Sequence, residues 1–137
     1  MFKLIPIALM CIGAVLAFAE PGAADRGEAS YQVGMKALDA KQWQNAIEQF
    51  DGVPPDNARA DGALYWKAYA LNKLGRPDDA LASLDRAITG NPDLAKAHQA
   101  RASILKAMGR ADEAQASLEQ AAAIEAKARA GGEPATE

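Results

Sequence analysis

Residues 61–94 have the sequence DGALYWKAYALNKLGRPDDALASLDRAITGNPDL. Residues 27–60 and 95–128 repeat its pattern of small and apolar side chains, which makes three units at a spacing of 34 residues. A period of this length in a chain with 33 alanines predicts stacked helical hairpins. The repeated small residues are Gly34, Ala68 and Ala102, then Ala46, Ala80 and Ala114, and the repeated bulky residues are Phe50, Leu84 and Leu118.

Glycine and proline indicate where the helices end. Gly75 and Gly109 follow the first helices of the second and third units, and Pro77 suits the first turn of the helix that comes next. The pair Pro54 and Pro55 must end the second helix of the first unit. We therefore predict an all-α fold of six helices, arranged as three antiparallel hairpins.

Polar residues indicate where other helices begin. The candidate caps are Asp25 with Glu28 for the first helix, Asp56 or Asn57 for the third, and residues 91–93 for the fifth. The sixth helix is predicted from about Asp112 to Arg129, which makes it longer than its equivalents and extends the repeat region to residues 27–130. Residues 20–26 are predicted to be a polar lead-in, and residues 131–137 a disordered tail.

Together these features resemble the tetratricopeptide repeat family over residues 27–128. That family has a small residue where the two helices of a unit cross, an alanine early in the second helix and a bulky residue one turn later, and all three units meet this pattern. The chain departs from it where Lys67 and Arg101 replace a leucine and where Lys41 replaces a turn glycine. The resemblance implies a right-handed superhelical solenoid that binds other proteins.

In this family the first helix of each unit lines the concave face of the solenoid. The resemblance therefore implies a partner-binding groove formed by Tyr31, Met35, Leu38, Tyr65, Trp66, Tyr69, Asn72, Lys73, Lys96, Gln99, Ser103 and Lys106. Aromatic side chains are enriched at binding hot spots, which favours a groove for a peptide. The alternative is that Trp66 and one tyrosine fill gaps between units, and Trp43 is expected to serve packing.

The charges of this face are segregated along the solenoid. Glu28 and Asp39 fall on the first unit, whereas Lys73, Lys96 and Lys106 fall on the second and third. A bound segment is then expected to have an apolar or aromatic centre and an acidic end over the third unit. The alternative is that these lysines form only a solvated helix face. Of the lysine, asparagine and arginine clamp that some family members use for a carboxylate tail, only Lys96 has a match, so we do not expect that clamp.

Composition argues against several classes of function. The net charge of −3 and the pI of about 5.2 do not fit a nucleic-acid-binding protein. His98 is the single histidine, whereas a metal or catalytic site needs several convergent groups. The carboxylate pair Asp78 and Asp79 falls at a helix start, where it favours the helix dipole. We predict no enzyme activity, no cofactor and no small-molecule substrate.

The first nineteen residues have the layout of a secretory signal peptide. Lys3 precedes an apolar run at residues 4–16, and Ala17 and Ala19 supply the small residues of a cleavage site. The alternatives are an uncleaved membrane anchor, for which the run is short, or a buried helix. Cleavage after Ala19 removes the only cysteine, Cys11, and places the mature protein in the periplasm or outside the cell.

The predicted function is that of an exported interaction module. It binds a peptide segment or helix of an envelope or secreted protein through the concave face. The alternative is a structural subunit that associates with itself through the exposed ends of the helical stack, since terminal units of such stacks need a polar cover.

Overall fold

The computed structural model describes residues 22–132, which form six α-helices joined by short turns. The helices are α1 (Ala23–Asp39), α2 (Trp43–Asp51), α3 (Ala60–Lys73), α4 (Pro77–Gly90), α5 (Ala95–Ala107) and α6 (Ala111–Gly132). The pairs α1–α2, α3–α4 and α5–α6 form hairpins, and contacts of α2 with α3 and of α4 with α5 stack the hairpins into a solenoid. The predicted all-α fold is confirmed. The predicted signal peptide and residues 133–137 lie outside the described residues.

The turn inside each hairpin has the same backbone geometry in all three units. Gly75 and Gly109 adopt positive φ angles of 74° and 78°, and Lys41 adopts 57° at the equivalent position of the first unit. In each turn the next residue donates its N–H to a carbonyl five residues earlier, as in the bond of 2.9 Å from Arg76 to Leu71. These hydrogen bonds hold Lys41 in a conformation that disfavours residues with a Cβ by roughly 1–2 kcal/mol.

The predicted caps of the first, third and fifth helices are wrong. Gly22, Arg59 and Leu94 occupy the cap positions, and none of them caps through its side chain. Asn57 instead accepts a hydrogen bond of 2.8 Å from the Arg59 N–H and donates one of 3.1 Å to the carbonyl of Ala24. Contacts between the connecting loop and α1 therefore outweigh the local capping preference. The outer helices also extend past their predicted bounds: α1 begins at Ala23, inside the predicted lead-in of residues 20–26, and α6 continues to Gly132, three residues past its predicted end at Arg129 and into the predicted tail of residues 131–137.

Small and large residues are matched where the helices of a hairpin cross. A Cβ placed on Gly34 would lie 2.7 Å from the Phe50 ring, a distance that real Cβ contacts do not show. The second unit has Ala68 and Leu84 at these positions, both at most 1% exposed. One methyl group gained on one helix is thus accompanied by a smaller side chain on the other. This exchange keeps the volume of the crossing nearly constant, as close packing requires.

Equivalent residues differ in burial at the two ends of the stack. Phe50 and Leu84 are 3% and 0% exposed, but Leu118 at the same repeat position is 46% exposed. Val33 on α1 is similarly exposed, at 45%. The inner residues are covered by the neighbouring unit, whereas the described residues provide no such neighbour at either end. Within residues 22–132, no helix combines the length and apolar character needed to cross a membrane.

Candidate functional site: an aromatic groove

Five aromatic side chains from α1, α2 and α3 form one cluster, which we call the aromatic cluster: Tyr31, Trp43, Tyr65, Trp66 and Tyr69. The Trp66 ring meets Tyr65 edge-on at 4.9 Å between centroids and Tyr69 at 6.0 Å. Trp43 meets Tyr69 edge-on at 6.0 Å. The Trp66 indole N–H donates a hydrogen bond of 3.1 Å to the Tyr31 hydroxyl and so ties α3 to α1. Edge-to-face pairs of this kind are favourable beyond the area they bury.

The members of the aromatic cluster differ in how much surface they present. Tyr31, Trp43, Tyr65 and Trp66 are partly buried and pack against the core. Tyr69 is 42% exposed, because it projects beyond the rings that support it. Trp43 packs as predicted, but it also supports Tyr69, which the sequence analysis did not anticipate. The cluster therefore combines a packed base with an exposed ring that is held in a defined position.

Beside the aromatic cluster, a pocket of about 240 Å³ opens between α3 and α5. Its lining residues are Tyr65, Ala68, Tyr69, Asn72, Leu84, Ala100, Ser103 and Ile104. Leu84, Ala68 and Ile104 are at most 5% exposed and form an apolar floor. The other side is polar, since Asn72 and Ser103 are exposed on its rim. An apolar floor with a few polar groups at the rim is typical of a site that accepts one large side chain.

The structure brings together four of the twelve predicted groove residues in this pocket: Tyr65, Tyr69, Asn72 and Ser103. Ala100 and Ile104, which line the pocket from α5, were not predicted as site residues, because neither has chemistry that marks it as one. The only feature of the sequence that could have identified them is spacing, because Ala100 and Ile104 both lie within one helical turn of Ser103 on α5.

Other predicted residues lie elsewhere. Leu38 is 7% exposed and belongs to the core, so its assignment to the groove surface is wrong. Leu38 lies on the side of α1 that packs against the neighbouring helices. Met35 is partly buried against the same core. Gln99 donates a hydrogen bond of 2.6 Å to Glu125 on α6, which engages its amide within the chain.

The charged residues near the groove differ in whether a residue of opposite charge pairs with them. The Glu28 carboxylate accepts hydrogen bonds of 2.8 Å from Gln32 and 2.9 Å from Arg59. The bond from Gln32, followed by that from Arg59, holds the pKa of Glu28 below its ordinary value. Because Arg59 offsets its charge, Glu28 contributes less to an acidic end than the sequence predicts. Lys96 and Lys106 are exposed, and neither makes an ion pair with the described residues.

Lys73, the remaining lysine of the predicted groove, lies over an aromatic ring. Its Nζ atom is 5.4 Å from the centroid of Tyr69. A cation at this distance from a ring face is attracted to it by roughly 0.5–1 kcal/mol at an exposed site. Lys73 therefore places positive charge over Tyr69, one of the residues that line the pocket.

A larger pocket of about 440 Å³ lies between α2, α3 and α4. Its lining combines apolar side chains, such as Phe50 and Leu64, with charged ones that include the Lys67–Asp51 ion pair of 2.5 Å. This pocket contains none of the predicted groove residues. We base the candidate site on the aromatic groove, because a larger volume without clustered aromatic groups is weaker support for peptide binding.

His98 and Asp79 both have partners within the fold. His98 is buried, and its Nε2 lies 3.2 Å from the carbonyl oxygen of Pro92. Asp79 pairs with Arg76 at 2.7 Å at the start of α4. Among residues 22–132 there is no group of three histidine, cysteine or acidic side chains that could hold a metal ion.

Comparison with known proteins agrees with the repeat pattern. A family model described as tetratricopeptide repeat matches residues 71–132. No curated protein matches the chain by sequence. The fold and the matched segment define a solenoid of tetratricopeptide repeats, so the resemblance proposed from the sequence is confirmed.

Solved structures of such repeats superpose on this chain with low sequence identity. The crystal structure of MamA is 22% identical with a TM-score of 0.72, and the match covers 78% of this chain and 62% of that one. The TPR2B domain of yeast Sti1, in complex with pHsp70, is 21% identical with a TM-score of 0.71 over 78% and 86% of the chains. The first TPR of Spaghetti (RPAP3), bound to the HSP90 peptide SRMEEVD, is 19% identical with a TM-score of 0.69 over 74% and 81%. This chain thus spans less than two thirds of the MamA chain.

Proposed function

We propose that the chain is a non-catalytic protein-interaction module whose aromatic groove binds a peptide segment or helix of an exported protein. The observation that carries this proposal is the pocket of about 240 Å³ beside the exposed Tyr69 ring. Supported aromatic rings give a large contact area with little loss of side-chain entropy on binding. Two of the structures with the same fold hold partner peptides or proteins, which supports a binding role for this fold.

The groove defines the chemistry of the segment that it would accept. The apolar floor of the pocket favours a bulky apolar or aromatic side chain. Lys73 over the Tyr69 ring, together with Lys96 and Lys106, which make no ion pair with residues 22–132, favours an acidic stretch on the side of the third unit. An acidic C-terminal tail held by a carboxylate clamp does not fit, since Tyr31 and Met35 replace two of the required polar groups.

Replacing the aromatic rings should weaken binding more than replacing the lysines. The double variant Tyr65→Ala with Tyr69→Ala should lose about 30-fold or more in affinity, mainly through faster dissociation, because each ring is a candidate hot spot. The double variant Lys96→Glu with Lys106→Glu should mainly slow association and reduce its salt dependence. Surface plasmon resonance with a partner captured by crosslinking in the native compartment measures both rates.

The matched control is Tyr65→Phe with Tyr69→Phe, which keeps the rings and removes only the hydroxyl groups. It should retain most of the affinity, and circular dichroism should show parent-like helicity for all variants. If both double variants bind like the parent, the groove is not the binding site.

A second candidate function, self-association through the ends of the stack, is supported by the exposure of Val33 and Leu118 at opposite ends. Exposed apolar residues at both ends are compatible with head-to-tail contacts between copies. Sedimentation of the mature protein tests this idea, which requires a mass that increases with protein concentration.

We further propose that the protein is exported and processed, so that the mature chain begins at Glu20. The support is the order of Lys3, the apolar run and the small residues that end at Ala19. N-terminal sequencing of the exported form is expected to give Glu20 first. Recovery of intact Met1 in a membrane fraction would show that the segment is an anchor instead.

A further inference from the structure

The two junctions between successive units share one design. An acidic residue near the end of one unit pairs with a basic residue on the first helix of the next unit. Asp51 meets Lys67 at 2.5 Å, and Asp85 meets Arg101 at 2.8 Å. The basic side chains are only 18% and 27% exposed, so both pairs lie partly inside the junction. The positions where the chain departs from the family's leucine are therefore the positions that form these ion pairs.

Apolar contacts accompany each ion pair. The basic residue is preceded four positions earlier by an alanine, Ala63 or Ala97, which is at most 2% exposed. The acidic residue is preceded directly by Phe50 or Leu84, which is at most 3% exposed. Residues four apart lie on the same face of a helix, so the alanine shares the face of the basic group that pairs with the preceding unit. A junction thus consists of a bulky-acidic pair on one side and a face of alanine and a basic residue on the other.

A third copy of the bulky-acidic pair lies on α6, at Leu118 and Glu119. Leu118 is 46% exposed, in contrast to the buried residues at the equivalent positions. The Glu119 carboxylate accepts a hydrogen bond of 3.1 Å from Gln115 of the same helix and has no basic partner among residues 22–132. Half of a junction is therefore present at this end of the solenoid.

The charge pattern argues against a second copy of this chain as the occupant. The residues of α1 at the alanine and basic positions are Ala29 and Val33. A copy stacked head to tail would place Val33 against Glu119 and leave the carboxylate without a cation. In the two internal junctions the equivalent carboxylate is paired.

We propose that the Leu118–Glu119 face of α6 binds a helix of another protein that carries an alanine and, four residues later, a lysine or arginine. The incoming helix occupies the place of the first helix of a fourth unit. Its alanine packs on Leu118, and its basic group pairs with Glu119 as Arg101 pairs with Asp85. This surface lies at the end of the stack and is separate from the aromatic groove.

The chain itself supplies a probe for this site. A fluorescent peptide of residues 91–110 contains Ala97 and Arg101 in their natural spacing. A hydrocarbon staple between positions 99 and 103 stabilises the helix on the side away from Ala97 and Arg101. Fluorescence anisotropy with the full-length mature protein measures its dissociation constant.

We expect the stapled peptide to bind the parent protein and to lose about fivefold to tenfold in affinity for Glu119→Lys, since a paired charge becomes a repulsive one. An Arg101→Glu peptide should bind the parent weakly and should bind Glu119→Lys better than it binds the parent. This charge swap distinguishes pairing from a general loss of structure. The control is Glu48→Lys, which changes an exposed carboxylate on α2, in the first unit. This variant should bind the peptide as tightly as the parent protein does.

Tyr65→Ala with Tyr69→Ala should leave peptide binding unchanged, which separates this site from the groove. The proposal is overturned if the peptide does not bind the parent, or if parent and Glu119→Lys bind it equally. It is also overturned if sedimentation shows a dimer that Leu118→Asp dissociates, because a second copy then occupies the face.

Discussion

Leu84→Ala should lower the free energy of unfolding by about 2–5 kcal/mol, whereas Leu118→Ala should lower it by about 1 kcal/mol or less. The two leucines occupy the same repeat position, but Leu84 is 0% exposed and Leu118 is 46% exposed. Truncating Leu84 leaves a cavity beneath the third unit, and truncating Leu118 removes a side chain that is already half in water. Urea unfolding followed by circular dichroism measures both values, provided that the slope m is unchanged.

The two variants are controls for each other, because both replace leucine by alanine and remove the same atoms. Equal losses of several kcal/mol would contradict the exposure of Leu118 and would mean that something covers it in the native protein. A loss that depends on protein concentration would identify that cover as a second copy.

Gly34→Ala should destabilise the protein by about 1–3 kcal/mol, although alanine favours a helix interior by roughly 1 kcal/mol over glycine. The added Cβ would lie 2.7 Å from the Phe50 ring, so the ring or the helix must shift. Adding Phe50→Leu should restore much of this loss, because the pair then matches Ala68 and Leu84 of the second unit.

A double-mutant cycle of Gly34→Ala and Phe50→Leu measures this interaction. Phe50→Leu alone should also destabilise, since it leaves unfilled space beside Gly34. We expect the loss in the double variant to be smaller than the sum of the two single losses by 0.5 kcal/mol or more. Additive losses, or a stabilising effect of Gly34→Ala, would show that the two residues are not in tight contact.

The predictions that succeeded were those that depend on short-range rules. Gly75 and Gly109 end helices because the left-handed residue of the turn favours glycine, and Pro77 starts a helix because its missing N–H needs no partner there. The helix count and the pairing into hairpins follow from the same local signals and the repeat period. The recognition of tetratricopeptide repeats depends on them too.

The predictions that failed depended on contacts between distant parts of the chain. Asn57 was expected to cap α3, but it makes one hydrogen bond to Ala24, 33 positions away. Glu28 was expected to add negative charge to the groove, but Arg59, directly before α3, pairs with it. Leu38 was placed on the groove surface, but it is in the core. Each outcome depends on which side chains the fold brings into reach.

The candidate site was predictable only in part for the same reason. Tyr65 and Tyr69 are conspicuous in the sequence because aromatic residues are few. The floor of the pocket combines Ala68, Leu84 and Ile104 from three different helices, and its depth is set by how closely α3 and α5 approach. No pattern of single residues encodes that distance.

The number of helices, their order and the positions of their turns could be predicted from the sequence, since these depend on periodicity and on the backbone preferences of glycine, proline and alanine. Which copy of a repeated residue is buried could not be predicted in this way and is known from the folded structure alone. Leu84 and Leu118 are equivalent in the repeat, yet one is covered by the next unit and the other faces solvent. The physical reason is that burial belongs to a residue and its neighbours in space, and the last unit of a stack has a neighbour on one side only.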